Sequence, residues 1–206
     1  MHSPQPTLHV IAVAHQRYGE LRVFVQSWLN QSESNWKLTV LHDGPDARFD
    51  AIMAEYQAQA PQQIEARCTD TRHNDYGHSL RDMGLQNIQG DYVLLTNADN
   101  YFIPKAMHFL NQALAETQSQ ADVLMFDMVH SHHRPGGREQ PAYCAFQVDF
   151  HPGAIDVSAA IVRRELAAQA GFRDKTHDGD ATYFEDIKAI RPLQVYRIPR
   201  ILFVHN

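Results

Sequence analysis

Cysteine is scarce. The 206 residues hold two, Cys68 and Cys144, and no CxxC pair. A disulfide scaffold and a structural zinc ribbon are therefore disfavoured, and the thiols read as ordinary cytosolic ones. Long apolar runs are also missing. No stretch approaches the roughly 18 consecutive apolar residues of a spanning helix. The N-terminal Met1-His2-Ser3-Pro4-Gln5-Pro6 lacks the basic and apolar regions of a signal peptide. The expectation is a soluble, cytoplasmic chain without a transmembrane segment. A basic excess is missing too: 18 Lys+Arg stand against 24 Asp+Glu, a net charge of −6. That argues against gripping nucleic-acid phosphates as the main task, so no nucleic-acid partner is expected. What is present is a hydrophobic fraction of 44%, enough for a buried core, and 13 histidines. At roughly 100–200 residues per domain the length fits one domain.

Strand and helix signals alternate along the first two thirds. Leu8 to Ala14 (LHVIAVA) is a short, β-branched apolar run of strand length. Leu21, Phe24, Val25, Trp28 and Leu29 recur at helical spacing, which predicts an amphipathic helix over Glu20 to Asn30. Trp36 to His42 reads as a strand ended by the turn Asp43-Gly44-Pro45, and Phe49 to Gln59 as a helix. Ile64 to Thr69 is a weak strand. Arg81 to Gln89 reads as a helix with Gly90 as its C-cap. Asp91 to Thr96 is a strand, Pro104 to Thr117 a helix, and Asp122 to Val129 a strand. This alternation predicts an α/β fold with a mostly parallel central sheet. Ligands of such sheets sit beyond the carboxyl ends of the strands, where His42-Asp43 and Asn97-Ala98-Asp99 fall. After His130 the pattern changes. His130 to Tyr143 reads as a mobile loop or hairpin tip, and Ala154 to Ile161 as a short strand. Arg163 to Ala170 and Ala181 to Ile190 read as helices, and Gln194 to Val204 as a strand broken at Pro199.

Three local features carry chemistry. Asn97-Ala98-Asp99-Asn100 follows a buried strand and offers oxygen ligands to a hard divalent cation; an Asx-rich turn is the plainer alternative. Glu185-Asp186 could supply a catalytic carboxylate, although acidic residues near a helix start also answer the helix dipole. His205 follows the apolar run Ile201-Leu202-Phe203-Val204, and by itself reads as surface decoration.

In this order the features resemble the GT-A glycosyltransferases, specifically the inverting family 2 type. Val10 to Arg17 is similar to that family's first strand and nucleotide-facing loop. Leu21 to Gln31 followed by Trp36 resembles its "LxxxLxSLLxQxxxxW" helix, and Thr39 to Gly44 its "IVVDDGS" segment. Gly77 to Leu85 resembles "GxxxARNxGL", and Gly90 to Pro104 resembles "GDYVLFLDADDxxxP". Gly171-Phe172-Arg173-Asp174 resembles "GGFDE", with Glu185-Asp186 as the following "ED". The resemblance implies a GT-A, Rossmann-like single domain over residues 1–206. About 1–129 would bind the nucleotide sugar, and about 130–206 would form the acceptor-side and catalytic part. It implies a metal-dependent, inverting hexosyltransferase that moves a sugar from a nucleoside-diphosphate sugar, UDP favoured, to a carbohydrate or glycoconjugate acceptor. Ala14, His15, Arg17, Asp43, Arg81, Asn97, Ala98 and Asp99 would contact the donor. Asp99 and His205 would hold Mn²⁺ or Mg²⁺. Asp186 would be the general base, with Glu185 supporting it.

The chain departs from the family pattern at three places. The DXD motif reads Asn97-Ala98-Asp99, followed by Asn100, so negative charge is reduced. His42 replaces the first acid of the "DD" pair, and "PTYN" reads Ala14-His15-Gln16-Arg17. A nucleotide-sugar-binding protein with weak or lost transfer activity is the alternative these changes motivate. A nucleotidyltransferase would need a glycine-rich loop where His15-Gln16-Arg17-Tyr18-Gly19 stands. A hydrolytic metal site at His130, His132 and His133 fits no rigid ligand spacing. Trp28 and Trp36 suit the core, while Tyr76 and Tyr101 flank the proposed site segments.

Overall fold

A computed structural model describes residues 5–206. Met1 to Pro4, part of the segment read as lacking a leader, lie outside the described residues. The sheet is built outward from β1 (Leu8–Ala14), all seven of whose residues are buried. A strand covered on both faces reads as an unbroken apolar run, which is why this one does. It pairs in parallel with β2 (Trp36–His42) on one side and β4 (Tyr92–Asn97) on the other. β3 (Ile64–Cys68) adds in parallel to β2 and forms the edge. Because these strands run the same way, their carboxyl ends all open on one rim.

Helices α1 (Tyr18–Leu29), α2 (Ala47–Gln59), α3 (His78–Leu85) and α4 (Ala106–Glu116) are interleaved with this half. The buried face of α1 carries Leu21, Phe24, Val25 and Trp28. The Trp28 ring packs 5.0 Å from Phe102 and 5.8 Å from Trp36, so both tryptophans are core residues. Asp46 caps α2, its side chain accepting from the N–H groups of Arg48 and Phe49.

Beyond β4 the sheet becomes mixed. β8 (Ala160–Arg163) runs antiparallel between β4 and β6 (Val123–His130). β9 (Val195–His205) is parallel to β6, and the two-residue β5 (Tyr101–Phe102) pairs antiparallel with β9. β7 (Cys144–Phe146) folds back on β6, so residues 131–143 connect a hairpin as the sequence suggested. The uninterrupted parallel pairing is that of β3, β2, β1 and β4, so the sheet is more mixed than the mostly parallel one expected. α5 (Arg164–Ala170) and α6 (Gly179–Ile190) complete the fold. Asp122 ties this half together. Its side chain is 3% exposed and takes two hydrogen bonds from Arg191 (2.9 and 2.8 Å), one from the Gln194 N–H (2.9 Å), and a contact from Arg163 at 3.3 Å. A buried carboxylate is tolerable because every side of it is met by a donor. Among the described residues no helix is long and apolar enough to cross a membrane.

α3 and the strand expected over Ala154 to Ile161 differ most from expectation, α6 starts at Gly179 rather than Ala181, and β5 was not expected. α3 begins at His78, three residues earlier than the periodicity suggested, because Gly77 at φ +79° turns the chain into it. It also ends at Leu85, so Gly90 caps nothing. Gly90 is needed for a close approach instead: a Cβ there would lie 2.6 Å from the His9 nitrogen and 2.9 Å from the Thr7 oxygen. The expected strand over Ala154 to Ile161 opens as a 3-10 turn, Val157–Ala159, before β8. Gly90→Ala must push apart backbone rather than a flexible side chain. The expected loss is about 3 kcal/mol in urea unfolding; a loss under about 0.5 kcal/mol would show that the Gly90 backbone can shift.

Candidate active site

The carboxyl ends of β1, β2 and β4 meet at a cavity of about 420 Å³. It is lined by Val13 to Arg17, Asp43, Arg72, Asn74, Tyr76, Gly77 and Asn97 to Asp99. Backbone hydrogen bonds lock the three strand ends together: the Ala98 N–H donates to Val13 O and the Asp43 N–H to Ala14 O, both at 2.9 Å. A second cavity of about 440 Å³ lies between β3 and α3, so volume alone does not choose between them. Chemistry does. The second cavity's His9 is already satisfied by Thr39 Oγ1 at 2.9 Å and the Gln89 N–H at 3.2 Å. Around the first, buried polar atoms lack partners: His15 Nδ1, Asp75 Oδ1, Arg81 Nε and Asp99 Oδ1 in or beside it, with Asp180 Oδ1 and His205 Nδ1 close by in the charge network described below. Orphaned buried groups are rare in folded proteins and mark places built for something else.

The loop after β1 is held by His42, which stands where the family pattern has an acid. His42 is 2% exposed. Its Nδ1 donates to Gly44 O at 2.8 Å, which leaves Nε2 to accept from the Gln16 N–H at 3.2 Å. One neutral tautomer satisfies both bonds. The loop it holds contains two consecutive left-handed non-glycine residues, Gln16 (φ 57°) and Arg17 (φ 50°). This conformation aims the Arg17 guanidinium at Asp99 Oδ2. Asp43 is 7% exposed and accepts from the His73 and Asn74 N–H groups at 2.7 and 2.9 Å, with Arg72 at 3.8 Å. The variant Asn97 is not idle. Its Oδ1 accepts from Arg81 Nη2 at 2.6 Å, while Arg81 Nη1 donates to Tyr76 O and His78 Nδ1. Burial, then the Arg81 charge, lowers the His78 pKa to about 4, so the ring can accept that bond.

A second group of charges converges from the far end of the chain. His205 Nε2 lies 3.4 Å from Asp156 Oδ2, and Asp156 Oδ1 accepts from the Ser158 N–H at 2.7 Å. Burial opposes the charge on both partners. Their mutual contact outweighs it, lowering Asp156 to about 2 and raising His205 from 6.5. His205 also feels Asp99 and Asp180. His130 stacks on the His205 ring at 4.5 Å, with His132 at 5.8 Å. Burial raises Asp99, although Arg17 and His205 oppose the shift. Asp180, in the first turn of α6, is pushed up to about 6 by burial, with Arg81 opposing and Asp156 adding to the rise.

Ala14, His15, Arg17, Asp43, Asn97, Ala98 and Asp99 line the cavity, and Arg81 stands behind Asn97. His205 is electrostatically coupled to Asp99. Glu185 and Asp186 do not line the cavity. Glu185 is exposed, and Asp186 is taken up by Arg173 at 2.7 and 3.1 Å. Asp156 and Asp180, which the sequence did not single out, join the charge network with His205. The available signal for Asp180 was an acid in a helix first turn, hidden because Asp178-Gly179-Asp180 reads as a turn while α6 starts at Gly179. Among the described residues no three His, Cys, Asp or Glu side chains form a ready metal cluster, the loop histidines included.

The Asp156–His205 pair gives a pH signature. Asp156 is depressed, so its contribution is present above about pH 4 and lost as pH falls toward 2. His205 is raised, so its contribution is complete below 6.5 and lost as pH rises through its shifted value. Asp156→Asn is expected to cost about 2 kcal/mol in urea unfolding at about pH 6, and under about 1 kcal/mol at about pH 9. An equal cost at both would show that the pair carries no linked proton.

The sequence profile of glycosyl transferase family 2 matches residues 9–144, more than half of the chain. A search of curated proteins finds no match. Among solved structures, S. aureus TarS 1–349 superposes with a TM-score of 0.77 at 14% identity, over 97% of this chain and 60% of that one. The same protein with UDP-GlcNAc gives 0.75 at 14%, over 97% and 58%. The mannosyltransferase PcManGT of Pyrobaculum calidifontis, with GDP-Man and Mn²⁺, gives 0.72 at 14%, over 98% and 57%. The chain thus spans about three fifths of these neighbours' length, and the likeness establishes the fold, GT-A. With the profile match and the carboxyl-rim site agreeing, the chain belongs to glycosyl transferase family 2.

Proposed function

We propose that this domain is an inverting glycosyltransferase. It moves a sugar from a nucleoside-diphosphate sugar, with UDP as the favoured nucleotide, to a hydroxyl of a carbohydrate or glycoconjugate acceptor. The observation that carries this reading is the trio of buried, unpartnered atoms Asp99 Oδ1, His205 Nδ1 and Asp180 Oδ1 in one charge network. Neighbours that hold UDP-GlcNAc and GDP-Man support a nucleotide-sugar donor. Residues to about 129 form the donor part, and residues from about 130 supply Asp156, Asp180 and His205. The two free cysteines suit a reducing compartment such as the cytoplasm.

Asp99 Oδ1 and His205 Nδ1 fit a divalent cation. Both are buried ligand atoms without partners, and the contact from Asp156 to Nε2 fixes the tautomer that leaves Nδ1 free. When bound, Mn²⁺ or Mg²⁺ would stabilise the negative charge of the leaving diphosphate. With only two such ligand atoms from the chain, the donor's phosphates would have to help hold the cation.

The chain's own residues do the rest. Ala14, His15 and Asp43 hold the nucleoside against the strand ends, while Arg81 orients Asn97 toward the donor. We assign the general base to Asp180 rather than Asp186. A base must have a free oxygen near the reacting hydroxyl, and Asp186 gives both of its oxygens to Arg173. The acceptor oxygen attacks the anomeric carbon as its proton passes to Asp180 Oδ1, and the bond from that carbon to the diphosphate breaks. One displacement from the opposite face inverts the centre.

Calorimetric titration with UDP, GDP and dTDP, each with and without Mn²⁺, is expected to show one nucleotide binding in a metal-dependent way. No binding of any would remove the transferase reading. Asp180→Asn should keep nucleotide affinity and lose at least about 100-fold in kcat, whereas Asp186→Asn should lose under about threefold. The reverse pattern would return the base to Asp186. Because a base works ionised, kcat/KM should fall as pH drops through about 6, the raised Asp180 value. A limb near the ordinary carboxylate value of 3.8 would exclude Asp180.

A further inference from the structure

Asp99 is the one acidic residue of the Asn97-Ala98-Asp99-Asn100 turn. A cation arriving there would meet a single carboxylate, and that carboxylate already has a counter-ion. Arg17 Nη1 bonds Asp99 Oδ2, leaving Oδ1 unpartnered and buried. Arg17 is not there by chance of a flexible tip. The backbone that delivers it is left-handed at two successive residues and pinned by the Gln16 N–H bond to His42. The other two arginines of the site are differently employed. Arg81 spends its bonds on the neutral acceptors Asn97, Tyr76 and His78, and Arg72 stands 3.8 Å from Asp43. Arg17 Nε also faces Glu20 Oε1 at 3.6 Å, and the side chain stays 54% exposed on the cavity wall, with Nη2 open.

We propose that Arg17 makes cation binding and diphosphate binding depend on each other. This rests on the donor-site reading above. By neutralising Asp99, Arg17 leaves the site without enough negative charge to hold a divalent cation alone. A nucleoside diphosphate supplies that charge and finds in Arg17 a planar donor suited to its oxygens. The cation and the diphosphate therefore enter as a pair. The substitution of Asn97 for an acid strengthens the dependence, since a second carboxylate would hold the cation without help. Coupling of this kind is reciprocal: whatever factor UDP adds to Mn²⁺ affinity, Mn²⁺ adds to UDP affinity.

The test measures Mn²⁺ affinity by electron paramagnetic resonance, alone and with saturating UDP, in the unmodified chain, Arg17→Gln, Arg17→Lys and Arg72→Gln. Arg17→Gln is expected to bind Mn²⁺ alone about fivefold more tightly. It should also lose most of the gain that UDP brings. Arg17→Lys keeps the charge and should keep the pattern of the unmodified chain. Arg72→Gln removes a charge from the same cavity without freeing Asp99 and should leave the affinity for Mn²⁺ alone unchanged. Weaker binding of Mn²⁺ alone in Arg17→Gln would overturn the proposal, because Arg17 would then merely orient Asp99. An equal rise in Arg72→Gln would overturn it as well, since only general charge would be at work. If UDP and GDP fail to bind the unmodified chain at all, the donor-site reading falls, while the Mn²⁺-alone comparison still decides whether Arg17 masks Asp99.

Discussion

The site depends on a buried amide. Asn100 is fully buried, and its Nδ2 donates to Thr96 Oγ1 at 3.0 Å and Ser158 Oγ at 3.1 Å. Its Oδ1 accepts from the N–H of Asn206 at 3.2 Å, and the Asn206 side chain donates to Asp99 O at 2.7 Å. Three segments that carry site chemistry are joined at this point: the turn with Asp99, the turn with Asp156, and the end of β9 with His205. Both hydrogens and the oxygen of the amide are used, which fixes its orientation and makes the junction specific. Elsewhere a polar side chain at this depth would be a cost; here each of its groups is met.

Around that junction the charges are arranged by burial and not by number. Asp99, Asp156 and Asp180 belong to one network, in which Asp156 is paired with His205 and Asp99 with Arg17, while Asp180 Oδ1 has no partner. Asp99 and Asp180 carry raised pKa values for the same reason, desolvation, yet their chemistry differs. Asp99 has Arg17 on one oxygen and is suited to remain an anion. Asp180 has an oxygen with no partner and is suited to gain and lose a proton. In the proposed reading the environment, more than residue type, separates a ligand from a base.

Much of this was legible in the linear order of residues. The alternation of β-branched runs with helical periodicity located β1, β2 and β4 within a residue or two, because a strand buried on both faces has to be apolar throughout. The ordered motifs from Val10 to Pro104 pointed to the rim residues, which are local to strand ends and so survive as short patterns. The second half was harder. Its sheet is mixed, and β8 lies between strands far from it in sequence, which no local periodicity reports. The sequence points to Glu185-Asp186 as the base because the pair resembles the family's "ED", whereas Asp178-Gly179-Asp180 reads as a turn. The burial of Asp180 and the contact of Asp186 with Arg173 distinguish the two acids.

The sequence by itself determined the fold class, the rim of strand ends and the residue types offered there, since these follow from local apolar pattern and turn chemistry. It also determined that Asn97 and His42 lack the charge an acid would bring. Tertiary structure decided what those residues do. His42 became the acceptor that holds the Gln16–Arg17 turn, Asn97 became the acceptor for Arg81, and His205 met Asp156 across the sheet. The physical reason is that desolvation and partner geometry set the behaviour of a polar group. Both are properties of the surrounding chain in three dimensions, contributed here by segments a hundred residues apart.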